Sequence, residues 1–317
     1  MLDILSITGP IYITILIGYL TTRMGLFAKT DMRVLGKFVI NMALPALLFR
    51  ALSQRQLGEI INVSYLLAYL VGTMLVIGCG YFWSRRVDGH SPMTSTFYVM
   101  GMSCSNSGFV GYPILLLFLE PLAGVCLALN MIVENLVIIP LILAMAEQSR
   151  DEQLPWHRLL LRTLSRLAVN PLILALLAGV TVSLSGIDLP SILTKTVTLF
   201  ALSSSALSLF FIGGTLVGLT IRGIGSRVLT IVLGKLIFHP ISVFIIILVL
   251  PLAGLPALDA SMTRAAVIMA AVPMLSVYSI LALKYGQEDV CSAAMLVTTV
   301  SSFFTLSLLL WGLEHLL

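Results

Sequence analysis

The sequence predicts an all-α polytopic membrane protein, with ten transmembrane helices in two inverted five-helix repeats and an interrupted helix in each. Three observations carry that prediction. Of 317 residues, 59% are hydrophobic and 10% charged, with a mean hydropathy of +1.07; a soluble domain usually carries about 25% charge. The apolar residues fall in runs of span length, about 20 residues being enough to cross the hydrocarbon core. Two uncharged runs are broken by residues ill suited to a lipid-facing helix: Ser103-Cys-Ser-Asn-Ser-Gly-Phe-Val-Gly-Tyr-Pro113 and Ala270-Ala-Val-Pro-Met-Leu-Ser276.

Taken in order, the runs are 4–22, 34–53, 64–84, 93–118, 121–147, 167–186, 196–221, 228–250, 262–283 and 290–313. No basic segment precedes the first and no A-x-A site follows it, so it reads as a span and not a signal peptide. The runs divide five and five: a first repeat over 1–147, a cytoplasmic linker over 148–165 and a second repeat over 166–317. An odd number of spans per repeat inverts one against the other. Weak internal matches follow the same division. Pro113 and Pro273 are 160 positions apart. Gly9-Pro10 then Gly18 matches Asn170-Pro171 then Gly179 at an offset of 161. Val125-Cys126-Leu127-Ala128 resembles Val290-Cys291-Ser292-Ala293 at an offset of 165.

Lys and Arg set the orientation. With the N-terminus outside, the inner connections carry 13 of them and the outer connections 4, namely Arg50, Arg55, Lys195 and Arg264. Both termini are therefore expected outside. In the linker, Arg158, Arg162 and Arg166 share one helical face and Trp156, Leu160 and Leu164 another, which suits a short interfacial helix on an anionic leaflet. Gly214 and Gly218 form a small-x-x-x-small pair in the seventh span. Cys79, Cys104, Cys126 and Cys291 show no metal spacing and read as buried small residues.

Lipid cannot satisfy the backbone groups that an interrupted helix exposes, so such a stretch lines a cavity or packs inside protein. Discontinuous helices build the binding sites of many secondary transporters; a plain proline kink is the alternative. Free helix ends offer N–H groups and positive dipole ends to an anion. Around them Asn106 can donate and accept, Ser103, Ser105 and Ser107 add hydroxyls, and Gly108 and Gly111 admit close backbone approach. Ser276 is the candidate hydroxyl of the second interruption. Among acids, Glu134 alone lies deep in a span, beside Asn130 and Asn135. Intramembrane ionisable groups are costly and usually functional; Glu134 reads as a proton carrier or as half of a structural pair with Lys235. Lys235 has a second reading, snorkelling to the cytoplasmic interface. His239, one turn on and just before Pro240, reads as a packing histidine before a relay.

Asn106-Ser-Gly-Phe-Val-Gly-Tyr-Pro113, Asn41-Met-Ala-Leu-Pro45, the ten spans and the proline in the ninth together resemble the auxin efflux carrier family, which includes plant PIN carriers and bacterial malonate carriers. The long cytoplasmic loop of many plant members is missing. The resemblance implies a fold shared with bile-acid sodium symporters. Spans one, two, six and seven would form a scaffold, often dimeric, and the remaining six a moving transport domain. The broken helices would cross at Pro113 and Pro273, beside the substrate.

The expected function is transport of a small organic anion, malonate-like or auxin-like, by alternating access of elevator type. Asn106, Ser105, Gly108, Pro113, Pro273, Ser276 and Asn130 are the expected substrate residues, and Glu134, Lys235 and His239 the coupling residues. Expected partners are the anion, membrane lipid and a second copy of the chain, without nucleic acid; the expected location is a bacterial inner membrane, with both termini periplasmic. No cofactor is expected, and coupling to protons or sodium stays open. No H-E-x-x-H motif or intramembrane carboxylate pair points to an enzyme. A receptor of the same fold would bind ligand without flux, and single-turnover flux would separate a carrier from a channel.

Overall fold

A computed structural model describes residues 2–55, 61–149, 165, 168–219 and 225–316. The expected linker helix lies outside the described residues, apart from 148, 149 and 165. The named elements of the described chain are all helices. Its elements are α1 (Leu2–Arg23), α2 (Lys29–Ser53), α3 (Val63–Arg86), α4 (Pro92–Ser103), α5 (Ser107–Phe118), α6 (Glu120–Gln148), α7 (Pro171–Ser185), α8 (Ser191–Thr215), α9 (Ser226–Ala253), α10 (Ala260–Ala271), α11 (Tyr278–Leu283) and α12 (Glu288–Leu316). Helices α2, α3, α6, α8, α9 and α12 are each long and apolar enough to cross a membrane. Caps follow the local sequence. The side chains of Ser91, Asn170 and Asp259 accept from the backbone N–H groups of Thr94, Leu172 and Met262 at 3.1, 2.9 and 2.9 Å.

Among the described residues four helices contain one widened π-turn each, at Val39–Ala43, Ser107–Gly111, Glu134–Ile138 and Gly234–Phe238. Each ends two positions before a proline: Pro45, Pro113, Pro140 and Pro240. A proline offers no N–H, and its ring collides with the carbonyl four residues back. In three of the turns the residue just before the proline reaches back five positions instead, Leu44 to Val39, Ile139 to Glu134 and His239 to Gly234. The wider turn makes room for the ring and the helix continues.

The chain forms two compact units, each drawing on segments from both of the expected repeats. The first comprises Met1–Val63, Ser107–Ile132 and Arg166–Gly218. It contains the four helices expected of a scaffold and also Ser107–Ile132, which the resemblance assigns to the transport domain. Its helices approach through glycine. A Cβ on Gly18 of α1 would fall on the Phe210 carbonyl, and one on Gly213 of α8 on the Ile15 carbonyl. The two members of the expected small-residue pair differ. Gly214 faces Met32 and Thr22, while Gly218 lies past the end of α8 with φ +74°, a left-handed conformation. Ile13, Leu16, Ile17 and Leu20 are exposed on α1, apolar surface of the kind lipid covers.

The second unit comprises Ser64–Asn106, Val133–Ser165 and Leu219–Leu317. Gly72 of α3 faces Val243 of α9, whose Cα would lie 2.7 Å from an added Cβ. The Tyr278 hydroxyl donates to the Phe97 carbonyl at 2.7 Å, and Tyr285 to Glu147 at 2.8 Å. Cys104, Cys126 and Cys291 are buried as expected, but Cys79 is exposed.

Candidate functional site

Between α4 and α5 the helix opens over Cys104–Asn106, and between α10 and α11 over Val272–Val277. Within the second unit the two openings meet as an antiparallel bridge of Ser105 opposite Met274. The Asn106 N–H donates to the Pro273 carbonyl at 2.9 Å, and the Leu275 N–H to the Cys104 carbonyl at 3.1 Å. Two donors and two acceptors freed by the openings thus satisfy each other, as buried backbone groups must. The crossing expected at Pro113 is displaced to Asn106. Pro113 does not open its helix: it sits in the first turn of the Tyr112–Phe118 segment, after a π-turn, where its missing N–H costs little. Two N–H groups expected to be free for an anion are spent on the bridge.

The Asn106 side chain is 2% exposed, and its Oδ1 has no hydrogen-bond partner among the described residues. A buried polar atom left unpaired costs about 1–3 kcal/mol, so an orphan beside two opened helices points to a ligand. A carboxamide turned about its last torsion would present its N–H group there instead.

Ser105, next to Asn106, belongs to a buried polar chain in the same unit. The Lys235 ammonium donates to Ser105 Oγ at 2.6 Å, to the Ala270 carbonyl at 2.8 Å, and lies 2.9 Å from His239 Nδ1. All three of its protons are used, and the residue is fully buried; it does not snorkel. The Tyr69 hydroxyl lies 3.0 Å from Ser105 Oγ and 2.9 Å from Glu134 Oε1. With Glu134 ionised, the carboxylate only accepts, so Tyr69 donates to it and Ser105 donates to Tyr69. Lys235 thus connects to Glu134 through two hydroxyls. His239 Nε2 lies 3.0 Å from Thr73 Oγ1, whose own proton goes to the Tyr69 carbonyl at 2.6 Å. Thr73 must therefore accept, which puts the imidazole proton on Nε2 and leaves Nδ1 to accept from Lys235. Glu134 opens one π-turn and Lys235 is second in another; such turns recur at functional sites.

Of the remaining expected residues, Pro273 is in the bridge and Ser276 follows in the same opening, 6% exposed. Ser103 turns its hydroxyl back to the Val99 carbonyl at 2.6 Å. Gly108, Pro113 and Asn130 belong to the first unit. There Asn130 donates to Ser107 at 3.3 Å, and a Cβ on Gly108 would meet Leu44 at 3.0 Å. Tyr69 and Thr73 were not anticipated. They lie four apart on α3, one helical face, and that spacing of hydroxyls in an apolar span was the available signal.

Two opened helices that pair through their backbones, with an orphan carboxamide oxygen and a buried lysine alongside, suit a membrane transporter built on discontinuous helices. The chain belongs to the family described as membrane transport protein, which it matches over residues 8–311, the auxin efflux carrier family of the resemblance above. It is 28% identical to a Rhizobium meliloti (strain 1021) protein named "Putative malonate transporter", over 98% of this chain and 96% of that one. It is 26% identical to the Escherichia coli (strain K12) "Uncharacterized transporter YfdV" over 65% of this chain and 67% of that one. A Methanothermobacter thermautotrophicus "Uncharacterized transporter" is 30% identical over 33% of this chain and 34% of its own.

Proposed function

We propose that this protein carries a small organic anion, of the malonate or auxin-like carboxylate class, across a bacterial inner membrane by an elevator-type alternating-access cycle. The observation that carries the reading is the unpartnered Asn106 Oδ1 beside the backbone bridge. The full-length likeness to a protein named for malonate supports the substrate class. Ten spans in two inverted five-helix repeats, both termini outside and a homodimer complete the proposal.

Asn106, Ser105, Pro273 and Ser276, all within the second unit, form the substrate side of the site. Glu134, Lys235 and His239 couple transport to a proton, which Glu134 takes up and releases as the site changes sides. The test is malonate binding to purified protein and malonate flux into proteoliposomes, for wild type and Asn106→Ala. The variant is expected to fold and insert yet lose the flux and the malonate binding at the bridge. Unchanged affinity in Asn106→Ala places the site elsewhere, and binding without flux in wild type makes the protein a receptor.

A further inference from the structure

The first unit holds a second feature suited to anions, built from residues that take no part in the backbone bridge. A cavity of about 490 Å³ is lined by Arg50, Gln54 and Arg55 at the end of α2, by Tyr112 of α5, and by Glu120 and Gly124 of α6. Its two arginines differ in what they do. Arg55 is built into the wall: its guanidinium donates to the Pro121 carbonyl, and its own carbonyl accepts from Ser183 at 2.5 Å. The Arg50 guanidinium makes no hydrogen bond or ion pair among the described residues, although Glu120 lines the same cavity. Tyr112 is 5% exposed, and its hydroxyl, which has no hydrogen bond among the described residues, feels the charges of both Arg50 and Glu120.

We propose that this cavity is a separate capture site for a small organic carboxylate. Arg50 takes the carboxylate through its planar fork of N–H groups, and the Tyr112 hydroxyl donates to one of the same oxygens. Arg55 supplies a fixed positive background. Glu120 repels a second carboxylate on the same molecule, so the cavity holds a monoanion more readily than a dianion. The Lys and Arg distribution puts the end of α2 and the start of α6 on the outer side. There the cavity would gather anions for transport or receive them on release. That role rests on the function proposed above; the binding itself does not.

The test is calorimetric titration of purified protein with sodium malonate and sodium acetate, at low and high sodium chloride, for wild type, Asn106→Ala, Arg50→Gln, Arg50→Lys and Glu120→Gln. In the Asn106→Ala protein a salt-sensitive site is expected to persist. Adding Arg50→Gln should weaken it at least tenfold, with Arg50→Lys intermediate because the charge survives without the fork. Glu120→Gln should tighten malonate more than acetate, an effect that a merely structural role for these residues would not give. If wild type shows one site, lost in Arg50→Gln and kept in Asn106→Ala, the capture site stands and the central site falls. Binding that is indifferent to Arg50→Gln overturns the proposal, as does a wild-type protein that binds neither probe. Should Arg50→Gln fail to fold, Tyr112→Phe removes a single hydroxyl and must still weaken acetate binding; unchanged affinity there overturns the proposal equally.

Discussion

The buried chain from Lys235 to Glu134 allows a stability experiment whose magnitude reports the charge of the carboxyl group. Replacing Lys235 with Met keeps an unbranched side chain, one heavy atom shorter, and removes the ammonium. Three contacts are lost, to Ser105, His239 and the Ala270 carbonyl. Hydrogen bonds between helices in a membrane protein average about 0.6 kcal/mol each, so the contacts alone come to about 2 kcal/mol. If Glu134 is ionised, removing its counter-charge strands a buried carboxylate, and the cost rises to about 3–5 kcal/mol. The assay is equilibrium unfolding in mixed micelles, following tryptophan fluorescence, for Lys235→Met, Glu134→Gln and the double variant. An ionised pair predicts that Lys235→Met costs at least 3 kcal/mol and that adding Glu134→Gln restores part of it, with a coupling of about 0.5–3 kcal/mol. Single effects that add to within about 0.5 kcal/mol would refute electrostatic communication through Ser105 and Tyr69.

Three further outcomes follow from other parts of the molecule. Gly72→Ala should destabilise by at least about 1 kcal/mol, since its Cβ would lie 2.7 Å from the Val243 backbone, while Gly78→Ala, with nothing within 4 Å, should be neutral or slightly stabilising; thermal melts of the two compare them directly. His90, between α3 and α4, has its pKa held below 6.5 by burial and by Arg227, with Asp88 opposing. Below pH 6.5 the unfolded chain then binds more protons than the folded one, so stability present above pH 6.5 should fall as pH drops through the folded value, and His90→Asn should flatten that slope. A cysteine added at the C-terminus should react with an impermeant maleimide from the periplasm and one at Asp151 should not; labelling of both from one side would sink the inverted ten-span arrangement.

Much of this architecture is readable from residue order, because charge is so costly in lipid that its absence marks each span. The segments expected at 64–84, 121–147 and 290–313 match Val63–Arg86, Glu120–Gln148 and Glu288–Leu316 to within a few residues. The opening at Cys104–Asn106 was legible for the same reason: serine, asparagine and glycine in an uncharged run mark a helix that does not simply face lipid. Pro113 misled because proline weighs heavily as a breaker, although the helix can widen by one residue and continue. The recurring proline two positions after each π-turn shows four helices doing so. The state of Lys235 was not legible at all. Snorkelling and burial differ only in whether acceptors stand ready, and its acceptors include Ser105, 130 positions away, and Ala270, 35 away. Such long-range partners leave no local periodic trace.

The bridge of Ser105 with Met274 also bears on how the protein is made. Its partners lie 169 positions apart, so the first opening enters the membrane long before the second exists. At roughly 5–20 residues per second, the ribosome needs on the order of 10–30 s to supply the missing strand. Throughout that interval the Cys104 carbonyl and the Asn106 N–H have no native partner, and an unpaired backbone group in hydrocarbon costs several kcal/mol. The early half must therefore wait in the water-filled shelter of the insertion machinery, or hold its opening as continuous helix until the later half arrives. Either way, this pairing of distant residues makes closure of the transport core a late event in biogenesis.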